Sequence, residues 1–193
     1  MFEKYNKVQQ AILQTTLSLL IEKELQATSM ALIAKKSGVS TGSIYHYFES
    51  KEAIINELYK AIVTFNGETV LNGFYTDEPI RTRLERAWEN MIRLSLRYPE
   101  GFQFIEQYSF SPYIYDESKR EAYEGGWCGP LGQLYAEAIE AKLFIEMDPH
   151  LLVQMHYGSF VYVVKGHLNR HLTLTDDRIK QLIEATWNSA AVQ

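Results

Sequence analysis

The chain has almost no cysteine, no long apolar run and no surplus of positive charge. Cys128 stands alone among 193 residues, so no intramolecular disulfide can form. No apolar stretch approaches the roughly 20 residues that a membrane-spanning helix needs. The N-terminus lacks a basic segment followed by a purely apolar one, so no signal peptide is expected. Hydrophobic residues still make up 46% of the chain, enough for a real core in one large domain or two small ones. These absences suit a soluble cytoplasmic protein with no membrane partner.

Net charge is −5, which argues against nucleic acid on electrostatic grounds alone. Its distribution is uneven. Residues 1–60 hold seven Lys/Arg against six Asp/Glu, and residues 61–193 hold twelve against eighteen. The acidity therefore lies in the C-terminal part.

Internal repeats, low-complexity runs and strand-like alternation are missing too. No Ser/His/Asp or paired-carboxylate arrangement is evident, so no catalytic residue is nominated and the chain does not read as an enzyme. No cofactor or metal is implied. His167 and His171 are four apart, but two ligands are not a site, and solvated or hydrogen-bonded histidines are expected. The glycine-rich stretch Gly126 to Gly132 follows no strand and lacks dinucleotide spacing; a helix break or ligand-entry loop is expected there. Nothing beside Cys128 suggests a lowered thiol pKa.

What is present is helical patterning. Ile12, Thr16, Leu19 and Leu20 follow i, i+4, i+7, i+8 spacing. Ser50 is placed to cap a long helix whose apolar face is Ala53, Ile54, Leu58, Ala61 and Ile62, ending at Asn72-Gly73. Pro79 opens a helix to Tyr98, with Leu84, Trp88, Met91, Ile92 and Ser95 on its buried stripe. Pro99 opens the next, ending near Ser111-Pro112, and another spans Asp116 to Glu124. Helix resumes over Leu134 to Phe144. Asp148-Pro149 starts a long helix to about His171, and Thr175-Asp176-Asp177 starts the last.

The most specific segment runs from Thr28 to Lys51. A short amphipathic helix follows Ser29, with Leu32, Ile33 and Ala34 as core candidates. Gly38 supplies a tight turn, and Ser40 caps a second short helix through Ile44 to about Tyr47. Two short helices joined by a glycine turn are the helix-turn-helix pattern, whose second helix can enter the major groove of DNA.

This N-terminal third resembles the TetR family of bacterial transcription regulators. The resemblance rests on Ile33-Ala34, Ser37-Gly38-Val39-Ser40, Gly42, Ile44-Tyr45-His46-Tyr47-Phe48 and Ser50-Lys51-Glu52, over roughly residues 8–60. The chain departs from the family pattern at Glu24, where a glycine is usual, and at Thr15 and Thr16, where two small residues are usual. The resemblance implies an all-α fold: an N-terminal three-helix helix-turn-helix DNA-binding domain (1–50), a connecting helix (51–74) and a larger helical ligand-binding and dimerisation domain (75–193).

The resemblance places Thr41, Gly42, Ser43, Tyr45 and His46 on the DNA side of the recognition helix. Their chemistry agrees: small residues admit the backbone to the groove, and hydroxyls reach base edges or phosphates. Tyr47 carries a polar tip, Lys51 a positive charge, and Thr28 and Ser29 head another helix able to hold a phosphate. The alternative for the serines is capping alone, and for Tyr45 a core position.

In the C-terminal part, aromatic residues are candidates for a ligand cavity between helices. Trp88, Phe102, Phe110, Tyr113, Trp127 and Tyr157 are nominated, with Glu106 as a carboxylate set among aromatics, either a partner for a lipophilic cation or a helix-edge salt bridge. Two apolar stripes, Tyr157/Val161/Val164/Leu168 and Ile179/Leu182/Ile183/Thr186/Trp187, suggest a homodimer through the last two helices, as in the family. The expectation is a ligand-responsive repressor of a near-palindromic double-stranded operator, released by a small hydrophobic effector. The alternatives are a small-molecule binder or enzyme with an unused helix-turn-helix, and a regulator controlled by a protein partner.

Overall fold

Caps and prolines decide where the helices begin. The computed structural model describes residues 1–192, with Glu124 and Gly125 described by backbone alone. Ten helices are present among these residues: α1 Lys7–Ala27, α2 Met30–Ser37, α3 Thr41–Tyr47, α4 Lys51–Val70, α5 Ile80–Arg97, α6 Pro99–Tyr108, α7 Asp116–Gly125, α8 Cys128–Glu140, α9 Pro149–Leu168 and α10 Asp176–Ala190. The only β feature among the described residues is an isolated bridge between Phe144 and Ala191.

The starts are chemically explicit. Asn6 opens α1 with a capping box, its side chain accepting from Val8 and Gln9 while Gln9 receives the Asn6 N–H. Ser29, Ser40, Asp148 and Thr175 cap α2, α3, α9 and α10. Ser50 accepts the Ala53 N–H at the head of α4.

The structure explains both departures from the family pattern. Glu24 interrupts α1 at φ 63°, ψ 171°, a conformation that glycine adopts without strain and a side chain does not. Thr16 is wholly buried, and its hydroxyl donates back to the Ile12 carbonyl at 2.8 Å, so this extra polar group is satisfied within the core.

The chain forms two compact units. The first takes Met1–Phe65 and Tyr98–Ala122, so α6 and the residues after it belong with the helix-turn-helix in compactness, although they follow much later in sequence. Its core joins Ile12, Leu13, Leu17 and Leu20 of α1 to Ile33, Ile44, Ile54 and Leu58, with Phe104 and Tyr108 from α6. Glu100 of α6 accepts from Ser18 and Gln14 of α1. Asn56 of α4 holds the 113–115 loop through the Tyr113 carbonyl and the Tyr115 N–H.

The second unit takes Asn66–Arg97 and residues 123 onward. Here α5 packs against α8, α9 and α10, and α9 packs against α8 and α10. The glycine-rich stretch is a helix break as expected, but a short one: α7 ends at Gly125, Gly126 and Trp127 lie between helices, and α8 is helical from Cys128 on, so Gly129 and Gly132 lie in a helix and not in a loop. Gly132 is buried, and an added Cβ would lie 2.7 Å from the His150 ring, so its smallness serves close packing and not a turn. The dimer stripes are also revised. Val164, Ile179, Ile183 and Thr186 are buried within their own chain. The apolar side chains that α9 leaves exposed are Leu151, Met155 and Tyr162, on one face of that helix. No helix among the described residues is long and apolar enough to cross a membrane.

Candidate nucleic-acid interface and effector cavity

The helix-turn-helix divides its residues cleanly between core and surface. Gly38 takes φ 71° at the turn. Ile33 and Ile44 are fully buried and Phe48 nearly so, which fixes the orientation of α3. The Ser40 hydroxyl accepts the Ser43 N–H at 3.1 Å and lies 2.8 Å from the Ser43 hydroxyl. Thr41, Gly42, Ser43, Tyr45, His46 and Tyr47 are all exposed. Tyr45 is 52% exposed, which removes the core alternative for it. No atom lies within 4 Å of where a Gly42 Cβ would stand, so the absent side chain leaves the outer face of α3 low. His46 and Tyr47 pack edge to face, 4.9 Å between centroids.

Ser29 is exposed and caps α2 through the Leu32 N–H. Thr28 is corrected: it is fully buried at the end of α1 and its hydroxyl donates to the Glu24 carbonyl at 2.8 Å, so no part of it can reach DNA in this conformation. Lys51 is half-buried, and its ammonium donates to the Leu25 carbonyl at 3.1 Å. It therefore ties the head of α4 to the end of α1, whatever else it contacts. Sequence reasoning passed over Lys35 and Lys36, both exposed in the last turn of α2. Adjacent lysines beside the turn were the available signal.

In the second unit, Trp88, Trp127 and Tyr157 come together as nominated. The Trp88 and Trp127 rings lie 5.9 Å apart, and Trp127 and Tyr157 5.1 Å apart. The other four nominated ligand residues, Phe102, Glu106, Phe110 and Tyr113, belong to the first unit. Phe110, just past the end of α6, is 99% exposed, so it walls no cavity here. Tyr113 is 38% exposed and Phe102 is packed in the interior.

A cavity of about 10 Å³ lies among Leu84, Glu85, Trp88, Tyr135, Phe144, His156, Ile183, Thr186 and Trp187. It has room for about one water, so a larger molecule can enter only if side chains move. A hydrogen-bond chain, buried from Trp88 to His156 and ending at the exposed Ser189, forms part of its wall. Trp88 Nε1–H donates to Tyr135 Oη at 2.9 Å, Tyr135 contacts His156 Nδ1 at 2.5 Å, and His156 Nε2 lies 3.2 Å from Ser189 Oγ. Ser189 donates to the Thr186 carbonyl at 2.7 Å. One proton arrangement satisfies all of these: Tyr135 donates to Nδ1, and the histidine proton sits on Nε2 and goes to Ser189. His156 is thus held neutral, and burial pushes its pKa down to about 4. Sequence reasoning missed His156, because a lone histidine on an apolar helix carries no spacing signal. Burial also raises the Cys128 thiol to about 11, which makes it a poor nucleophile. His167 Nδ1 accepts the Leu174 N–H, an ordinary structural role.

Comparison with known proteins divides the chain in sequence order. A model of bacterial regulatory proteins of the tetR family matches residues 12–58, and a model of a tetracyclin repressor-like C-terminal domain matches residues 79–191. The chain belongs to the TetR family. Among TetR relatives, an HTH-type transcriptional regulator from Haemophilus influenzae is 24% identical over 92% of both chains. The regulator YvdT of Bacillus subtilis is 33% identical over 50% of this chain, and the repressor KstR2 of Mycolicibacterium smegmatis 29% identical over 56%. The chain spans about half the length of these last two, 48% and 49%. A TetR-family regulator from Marinobacter aquaeolei superimposes with a TM-score of 0.88 at 22% identity, covering all of both chains. The TetR fold, with its helix-turn-helix unit and helical C-terminal domain, is therefore that of this protein. The relatives named here are transcription regulators, not enzymes.

Proposed function

We propose that this TetR-family protein is a ligand-responsive repressor that binds a near-palindromic operator as a homodimer and is released by a small hydrophobic effector. The observation that carries the reading is the surface of α3. Six consecutive-face residues, Thr41, Gly42, Ser43, Tyr45, His46 and Tyr47, are exposed, while Ile44 and Phe48 anchor the helix from below. A small helix with a polar exposed face and a firm apolar root suits insertion into a major groove. Ser29, Lys35, Lys36 and the free donors of Lys51 are suited to phosphates, which position the protein without reading sequence.

The homodimer forms through α9 and α10. On α9 the exposed Leu151, Met155 and Tyr162 supply the apolar contact, which explains why a soluble domain leaves a tyrosine 80% exposed beside two aliphatic side chains. Two-fold symmetry then presents two α3 helices about one DNA turn apart, roughly 34 Å or a multiple. The effector acts by preferring a conformation in which that spacing no longer matches, with the cavity beside Trp88 and His156 as its entry.

Selection of bound sequences from random duplex DNA, at two salt concentrations, tests the reading. The expected result is a near-palindrome bound less tightly at higher salt. Recovery of no sequence by a protein shown to be free of ligand would sink it.

A further inference from the structure

The chemistry of the cavity and its rim selects the charge of the effector. The buried polar groups of the lining have their donors engaged: Trp88 on Tyr135, Tyr135 on His156, His156 on Ser189, and Thr186 on the Leu182 carbonyl. Only acceptor lone pairs remain on these hydroxyls, and the one charged group of the lining is the Glu85 carboxylate. An anionic head would therefore meet a carboxylate and, among the lining side chains, only the half-buried Trp187 indole N–H as an unengaged donor.

The rim already holds a cation. The Arg81 guanidinium lies 5.1 Å from the centroid of the Trp187 ring, donates to Glu85 Oε1 at 2.6 Å and also pairs with Glu184. Glu85 and Trp187 are themselves cavity lining. One aromatic face and two carboxylates are the elements of a cation seat, and a side chain of this protein occupies it. Arg81 is 44% exposed and its partners 36% and 52%, and ion pairs this open to water exchange readily.

We propose that the effector is an amphiphilic cation, whose head displaces Arg81 from Glu85, Glu184 and Trp187 while its apolar body enters between Leu84, Trp88, Phe144 and Ile183. Arg81 acts as a built-in competitor that keeps the empty site closed. The inference rests on reading the second unit as the effector domain.

The test uses three probes of similar size: phenethylguanidinium, its neutral isostere phenethylurea, and the anion phenylbutyrate. Binding is followed by tryptophan fluorescence in the full-length protein, since Trp88 and Trp187 line the site. The wild type should bind the guanidinium in preference to the other two. Arg81→Ala, which empties the seat and opens the site, should tighten guanidinium binding by about tenfold and urea binding by clearly less. Glu85→Gln in the Arg81→Ala background should remove most of that gain. Arg81→Gln, with its fold checked by circular dichroism, gives the same comparison should the alanine variant misfold. Equal or tighter binding of the urea or the carboxylate, or no gain on removing Arg81, would overturn the proposal. Operator release is measured separately: binding without release rejects the regulatory reading and leaves the site standing, and release by phenylbutyrate alone rejects the cation site and leaves the regulator standing.

Discussion

The two compact units solve opposite problems. In the first, the core is mostly aliphatic and the polar groups of α3 point outward; in the second, polar groups are buried in a chain from Trp88 through Tyr135 to His156, which reaches the surface at Ser189. An outward face can change without touching the core, provided Ile44 and Phe48 remain. An inward network cannot, because each member is the partner of the next. Substitutions should therefore separate function from stability in the first unit and couple them in the second.

The largest effect expected is on the root of α3. Ile44→Ala empties a fully buried site and should cost about 2–5 kcal/mol by urea denaturation, with DNA binding lost alongside. A loss below about 1 kcal/mol would mean that α3 is not held by its apolar side. Next comes the inward network under acid. His156 is neutral when folded, its pKa near 4, while the unfolded chain protonates it near its ordinary 6.5. Its contribution is complete above pH 6.5 and fades as pH falls toward 4, because only the unfolded state takes up the proton in that window. Between pH 7 and 5.5, above most carboxylate titration, roughly 1 kcal/mol should be lost, rising to about 3 kcal/mol by pH 4. A His156→Gln protein should show a flatter profile over the same range, and an equally steep one would assign the acid sensitivity elsewhere.

The same contrast explains what the sequence made legible. Helix starts were readable because Ser29, Ser40, Ser50, Pro99, Asp148 and Thr175 each carry local cap or ring chemistry that acts within four residues. The exposed face of α3 was legible because the buried Ile44 and Phe48 leave the small and hydroxyl-bearing residues between and beside them on the outside. Thr28 was misplaced because ending α1 and heading α2 differ by one residue, and the Lys51 bond to Leu25 joins positions 26 residues apart. The glycine-rich stretch does break the helix at Gly126 and Trp127, but propensity could not show how soon helix resumes, because packing beneath His150 holds Gly132 in α8. On α9, apolar residues occupy more than one face, so periodicity could not tell the stripe around Val164, which packs inward, from Leu151, Met155 and Tyr162, which do not. Aromatics of a cavity and aromatics of a core are the same residue types, which is why Phe102 and Phe110 were grouped with Trp88.

An outward substitution sharpens the comparison from the other side. Tyr45→Ala removes a side chain that is 52% exposed, so its stability should stay within about 0.5 kcal/mol of wild type. Operator affinity should fall about tenfold or more. Unchanged affinity would remove Tyr45 from the interface.

The smallest effect is expected in the direction of gain. Glu24 sits at φ 63° and ψ 171°, where a Cβ costs about 1–3 kcal/mol. Glycine at that position relieves the strain but gives the unfolded chain more freedom, worth about 0.5–1 kcal/mol the other way. Glu24→Gly should therefore stabilise the protein by about 1 kcal/mol, read as a higher urea midpoint with an unchanged slope. The gain depends on the backbone keeping its course, since the Glu24 carbonyl receives the Thr28 hydroxyl and the next carbonyl, that of Leu25, receives Lys51. A lower midpoint would mean that the Glu24 side chain contributes more than its backbone costs, and that the first unit tolerates strain at this joint for a contact that glycine cannot make.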